Sequence, residues 1–344
     1  MTPDTLAEAN RGTTFKDNPP LITAVVATFN EQTHIKQCLD GLLRQRGFEG
    51  GLEIIVVDGG SQDATLEIIR NMPQARERIR VLNNPRRLQV YAWNIGWKAA
   101  RGAYVGLISA HTEYDQDYFA RCLEVLHRTG AANVGSVQEA IGDGALGRAI
   151  AWAMSSPFGI GNAEFRYVKE EKEVDSVFGG FFTKETLAAI GGYDERNPFD
   201  EDSDINYRLR KAGKKVVVSP AIKVRYHARS SLRKLVHQMY RYGYWRRRTQ
   251  MEHPTSTPAR IMAPPMLLLG LAVSAALLVT GYNWAVAFPL IYVAFSLSAA
   301  VFAFRTLHAA SALSLVPIVL TVMHLAYGFG WWVGLYAHRR TVRS

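Results

Sequence analysis

Four carboxylates crowd into five positions at Asp200-Glu201-Asp202-Ser203-Asp204. Like-charged neighbours would favour the protonated form of Asp202, a useful direction for a group that must take a proton near neutral pH. A carboxylate of this run, Glu201 and Asp202 included, can serve as a general base; Asp200 and Asp204 equally suit a helix start, where the dipole favours acids. Further on comes Gln238-x-x-Arg241-Tyr242. On a helix, positions 238 and 241 share a face. Arg241 can then grip a phosphate with both arms of its guanidinium, and Tyr242 offers a ring for stacking. Upstream, Asp58 closes the apolar run Leu52 to Val57, and Thr28, Asn30 and Glu31 close the run that starts at Leu21. A carboxylate in such a place can accept an N–H from the edge of a base, although Asp58 and Asn30 also suit helix capping. Ser109-Ala110-His111 follows a fourth run. A hydroxyl has no charge with which to hold a hard cation, whereas neutral imidazole suits Mn²⁺ better than Mg²⁺. The residues alone leave open whether His111 is structural or a metal ligand, with Glu113, Asp115 or the distant His227 as helpers.

These residues need elements to position them. Short β-branched apolar runs at 21–28, 52–57, 79–82 and 103–108 alternate with segments whose apolar residues recur at helical spacing, such as Ile35, Leu39, Leu42 and Leu43. That alternation predicts right-handed βαβ units and a parallel sheet in an α/β fold. Ligands in such sheets bind beyond the carboxyl ends of the strands, where the polar loops lie. After residue 130 the alternation weakens: 135–161 reads as Gly-rich and irregular, 174–183 as a strand, 204–212 as a helix and 214–219 as another strand.

The chain has 344 residues and a formal net charge of +10, and that charge is local. Ile205 to Arg260 carries 15 Lys and Arg against one acid, Glu252. Next come 44 residues from Ile261 to Phe304 without Asp, Glu, Lys or Arg, and 32 more from Thr306 to Ala337. A span takes about 20 apolar residues, so three spans are expected near 263–281, 284–304 and 312–335. The first residues lack the apolar core of a signal peptide. Arg246-Arg247-Arg248 and Arg260 before the first span place the polar part in the cytosol. Three spans would, however, carry Arg339, Arg340 and Arg343 to the far side, against the same tendency. Between 231 and 248, Leu, Met, Tyr and Trp are mixed with cations, which predicts an interfacial helix on anionic lipid. Its direct lead into apolar spans argues against nucleic acid as the partner. Cys38 and Cys122 read as buried thiols of a reducing compartment.

The order of these pieces resembles the family 2 glycosyltransferases of GT-A fold, and most closely the membrane-anchored members that build bacterial exopolysaccharide of the succinoglycan type. The matching residues are Ala27-Thr28-Phe29-Asn30-Glu31, Val56-Val57-Asp58-Gly59-Gly60-Ser61 with Asp63, Asn94-Ile95-Gly96, Gly179-Gly180-Phe181, Gly191-Gly192-Tyr193-Asp194, Glu201-Asp202 and Gln238-x-x-Arg241-Tyr242. Each is short; their order carries the resemblance over roughly residues 20–245. It implies a nucleotide site at Thr28, Asn30, Glu31, Asp58 and Asn94, with a base at Asp202 in the Glu201-Asp202 pair. It also implies a diphosphate or acceptor site at Gln238, Arg241 and Tyr242. Relatives carry Asp-x-Asp where Ser109-Ala110-His111 stands, so a divalent cation, Mn²⁺ or Mg²⁺, is expected on a weakened motif.

The resulting expectation is a nucleotide-diphosphosugar transferase of GT-A fold with a C-terminal α-helical membrane region. Its parts would be an N-terminal tail (1–17), a cytosolic catalytic domain (18–228), basic amphipathic interfacial helices (229–260), a membrane region (261–338) and a basic tail (339–344). The expected activity is inverting transfer of a hexose from a UDP-sugar to a polyprenyl-diphosphate-linked glycan at the inner membrane. Two alternatives stand beside it: a transferase whose acceptor is the polyprenyl phosphate itself, and a non-catalytic subunit that binds a lipid-linked glycan.

Overall fold

The computed structural model describes residues 19–73, 78–161, 163–256 and 259–341. The expected 1–17 tail and residues 342–344 of the basic tail lie outside them. The four apolar runs form strands β1 (Ile22–Thr28), β2 (Leu52–Asp58), β3 (Ile79–Asn83) and β4 (Tyr104–Ser109), with helices α1 (Ile35–Leu43), α2 (Thr65–Arg70) and α3 (Gln89–Ala99) between them. These strands are parallel in the order β3-β2-β1-β4. Then come β5 (Thr112–Tyr114), α4 (Tyr118–Thr129), β6 (Asn133–Ile141), α5 (Gly144–Met154), α6 (Pro157–Ile160), β7 (Lys172–Glu173), β8 (Gly180–Thr183), α7 (Lys184–Ile190), α8 (Glu201–Lys211) and β9 (Val216–His227). They extend the sheet from β4 as β8-β6-β9-β5, with β7 also on β9. β8 is antiparallel to β4 and to β6, and β5 and β7 are antiparallel to β9.

Successive side chains of β1 point to opposite faces of the sheet. Ala24 and Val26 enter an apolar cluster with Leu39 and Leu42 of α1 and Phe119 and Leu126 of α4. On the other face Val25 meets Gly96 of α3, where a side chain would collide with the valine. A sheet covered on both sides explains why its inner strands read as continuous apolar runs. The thiols lie in the first cluster: Cys38 and Cys122 are free and buried. Burial, helped by the charge of Glu31, pushes the Cys38 thiol up to about 12. Burial raises Cys122 as well. Thiolate is the reactive form, so the native protein should show no maleimide labelling at pH 8 and two labelled cysteines once unfolded in urea, as read by intact mass.

The described residues form two compact units. One holds the chain up to Gln138 together with Val168–Tyr226; the other holds Glu139–Tyr167 and the residues from His227 onward. The stretch 139–167, inside the expected 18–228 domain, thus clusters with the C-terminal helices. The 135–161 region is also more regular than expected, because β6, α5 and α6 occupy most of it. Its Gly and Ala content hides the pattern, yet Ala149, Ile150, Ala153 and Met154 form one buried face. Conversely, the strand expected over 174–183 is ordered as strand only in β8.

The second unit continues with α9 (Leu232–Glu252), α10 (Ala263–Val279), α11 (Ala287–Leu307) and α12 (Ala312–Thr341). By length and composition, the segments Asn283–Leu307 and Ala312–Ala337 are apolar enough to cross a membrane, whereas α10 is shorter.

Candidate functional site

Register brings the strand ends together: Thr28 pairs with Asp58, Asp58 with Asn83, and Ala27 with Ser109. The polar residues that follow each strand therefore share one edge of the sheet. The loops after β1 and β2 are laced to each other. Asn30 N–H donates to Ser61 Oγ at 2.9 Å and Gln62 N–H donates back to Asn30 Oδ1 at 2.8 Å. Glu31 N–H donates to Thr65 Oγ1 at 2.8 Å, and Gln32 N–H to Asp63 Oδ2 at 3.1 Å. Asn30 itself has φ of 53°, a left-handed conformation that Asn tolerates better than most residues.

Asp58 is buried. Its Oδ2 accepts the N–H groups of Gly60 and Ser61, each at 2.9 Å, and its Oδ1 accepts Ser61 Oγ–H at 2.5 Å. Gly60 takes a φ of 80° in that turn, which costs a glycine nothing. Beside it stand two residues that sequence reasoning passed over. Phe29 is exposed, and the Arg87 guanidinium lies over its ring at 5.7 Å. Arg87 also holds a φ of 62°, unusual for a long side chain. The only signal for the pair was an aromatic between Thr28 and Asn30.

Asn94 is placed differently from the loop residues. Its Oδ1 accepts Tyr193 N–H and Trp97 Nε1–H, each at 3.0 Å, while its Nδ2 donates to Tyr193 O at 2.9 Å and Glu195 Oε1 at 3.1 Å. That accounts for the whole amide and fastens the Gly191-Gly192-Tyr193-Asp194 turn to α3.

At the end of β4, Ser109 Oγ lies 3.2 Å from His111 Nε2, and His111 Nδ1 lies 3.3 Å from Glu31 Oε1. Glu113 meets Gln37 Nε2 at 3.0 Å and Arg225 Nε at 3.6 Å, and Asp115 meets Arg225 Nη2 at 3.3 Å. Both acidic helpers therefore face a cation. His227 ends β9 and belongs to the other unit. Among the described residues no group of three or more His, Cys, Asp or Glu side chains is placed to hold a metal ion. The juxtaposed His111 imidazole and Glu31 carboxylate suit a divalent cation that takes its other ligands from a phosphate substrate.

The acidic run becomes the start of α8, with Glu201, Asp202 and Asp204 in its first turn. Asp202 Oδ2 accepts Gly179 N–H at 3.4 Å. Gly179 lies against the Leu107 carbonyl, and Gly180 pairs with Leu107 of β4. Asp202 is thereby hooked near the same carboxyl end of β4 that carries Ser109. The Tyr193 phenol is pushed well above its ordinary range, first by burial and then by the charges of Asp202 and Glu201. Buried Asp204 pairs with Arg208 at 2.8 Å, and Arg208 donates to the carbonyls of Ile190 and Gly192, each at 2.8 Å. One turn beyond Asp202, Asn206 is fully buried: its Oδ1 accepts from Asn133 at 2.7 Å, and its Nδ2 donates to Ser176 Oγ at 3.3 Å and Val177 O at 3.4 Å.

The remaining candidates lie on α9 in the second unit. Gln238 is buried and donates to the hydroxyl of exposed Tyr242 at 3.0 Å, and Arg241 is half-buried.

Comparison with known proteins places these features. Residues 23–187 match the model of the family described as "Glycosyl transferase family 2". The chain is 30% identical to succinoglycan biosynthesis protein ExoA of Rhizobium meliloti (strain 1021), over 92% of this chain and 96% of that protein. It is also 30% identical to a dolichyl N-acetyl-α-D-glucosaminyl phosphate 3-β-D-2,3-diacetamido-2,3-dideoxy-β-D-glucuronosyltransferase of Methanococcus voltae, over 64% of this chain and 71% of that one. Among solved structures, mannosyltransferase PcManGT of Pyrobaculum calidifontis, determined with GDP-Man and Mn²⁺, aligns with a TM-score of 0.59 at 18% identity, covering 97% of this chain and 94% of that one. The architecture is the GT-A fold.

Proposed function

The chain belongs to glycosyltransferase family 2, and from that premise we propose that it transfers a hexose, with inversion, from a UDP-sugar to a polyprenyl-diphosphate-linked glycan during exopolysaccharide assembly. The cytosolic unit does the chemistry, the 229–260 segment lies at the headgroups, and the apolar 261–338 region holds the enzyme at the inner membrane beside its lipid-linked acceptor. Support comes from a relative of nearly the same length that is named for succinoglycan biosynthesis. A second relative is named for a lipid-linked acceptor.

The observation that carries the mechanism is the hooking of Asp202 near the end of β4, beside the strand ends of the nucleotide loops. Asp58 and its turn receive the base; Thr28, Asn30 and Glu31 line the ribose side. Asp202, with Glu201 beside it, takes the proton from the acceptor hydroxyl as that oxygen attacks the anomeric carbon opposite the departing diphosphate. Arg241, positioned with Gln238 and Tyr242, offsets the charge of the leaving diphosphate. His111 and Glu31 are the residues that would hold a divalent cation, whose contribution is charge neutralisation on the same diphosphate.

Two measurements test this. Calorimetry with UDP and GDP, with and without Mn²⁺, should show UDP binding strengthened by the ion, and labelled UDP-hexose should transfer its sugar to a lipid extract. No nucleotide binding and no transfer under any metal would overturn the enzyme reading. In the same calorimeter, Asp58→Asn should weaken UDP binding by about tenfold, one charge-assisted hydrogen bond's worth.

A further inference from the structure

α12 has two unlike halves. In the first, Val316, Val319, Leu320 and Met323 join Ala299, Ala300 and Ala303 of α11 and Leu235 and Met239 of α9 in an apolar cluster. The second half lies directly on α9. A side chain at Gly243 of α9 would collide with the Tyr327 carbonyl, one at Gly330 with the Tyr240 carbonyl, and one at Gly334 would come within 2.7 Å of the Tyr244 carbonyl. Bare glycines let two helix backbones approach this closely. Trp331 Nε1 donates to Gln250 Oε1 at 2.8 Å, and the Arg247 guanidinium stacks 4.4 Å from the Trp331 ring.

The part of α9 engaged in these contacts, Tyr240 to Gln250, carries Arg241, Arg246, Arg247 and Arg248. Wherever Tyr327–Gly334 sits, those arginines sit beside it, and four arginines on one helix are not carried into hydrocarbon. Excluding that half leaves Ala312 to Ala326, about 22 Å of helix against the roughly 30 Å of a bilayer core. We infer that α12 does not cross the bilayer: its second half ends at headgroup level, where it and α9 form one platform of arginines and aromatics against anionic lipid. The aromatics suit that depth, since Tyr240, Tyr244, Trp245, Trp331 and Trp332 all lie in the paired stretch and rings of this kind collect at membrane interfaces. The C-terminus then stays on the side where α9 begins. The conflict between a basic end of the sequence and the positive-inside tendency then disappears.

This inference rests on the membrane reading above, and the test separates the two. The full chain is fused at its C-terminus to green fluorescent protein or to alkaline phosphatase in a bacterial host, and a Ser344→Cys variant is probed with a membrane-impermeant maleimide, the native thiols being buried. Expected are a fluorescent protein fusion, an inactive phosphatase, and labelling only after the cells are permeabilised. An active phosphatase with labelling of intact cells, in protein that stays in carbonate-washed membranes, would overturn the inference alone. Protein released by the carbonate wash would overturn the membrane reading and this inference with it.

Discussion

The Asp202→Asn variant should lose about 10²- to 10⁴-fold in kcat, with the donor KM changed by no more than about threefold. The substitution keeps the shape of the side chain and its acceptor oxygen for Gly179 N–H, so the helix start survives while the proton-accepting charge is lost. Steady-state transfer from labelled UDP-sugar to lipid-linked acceptor checks both parameters. The pH profile adds a second readout: the acidic limb of the wild-type rate, where the base becomes protonated, should vanish in the variant. Glu201→Gln should cost far less, since that neighbour acts through its charge alone. Near-normal turnover of Asp202→Asn would mean that the acceptor arrives already ionised. The nucleophile would then be a lipid phosphate, which needs little help from a base.

The Asn206→Ala variant should be destabilised by about 3 kcal/mol, because three buried hydrogen bonds are lost and the Asn133 Nδ2 donor, the Ser176 hydroxyl and the Val177 carbonyl lose their Asn206 partner. Thermal unfolding in detergent checks this. The same change should lower kcat more than donor binding: Asn206 ties the α8 turn bearing Asp202 to β6 and to the segment before Gly179, and the loops proposed for the nucleotide follow β1 and β2. A purely structural role would lower the melting temperature and leave the kcat of the folded fraction unchanged.

What the sequence revealed and what it concealed divide along physical lines. β1, β2 and β4 were legible because strands buried on both faces read as unbroken apolar runs, and their ends marked Thr28, Asp58 and Ser109 within a residue. The acids before Ile205 announced the start of α8, since a dipole favours them there. α5 was concealed: an Ala-rich face can pack tightly against other helices without the large side chains that make periodicity visible. Asn206 was equally silent, for a buried amide is recognised by partners distant in sequence, here Asn133, Ser176 and Val177. Asn94 shows the converse. Its motif was visible, but only three dimensions show that its amide holds the Tyr193 turn. α12 was legible as a segment apolar enough to span, but hydropathy counts its own residues and not the arginines of the helix it lies against.

The lacing of residues 30–32 to 61–65 has a thermodynamic consequence. These loops are ordered by each other during folding, so their entropy is already lost before any ligand arrives. Binding to such a finished cradle involves little backbone rearrangement. If these loops line the nucleotide as proposed, competing nucleotides should therefore enter at similar rates and differ in how long they stay.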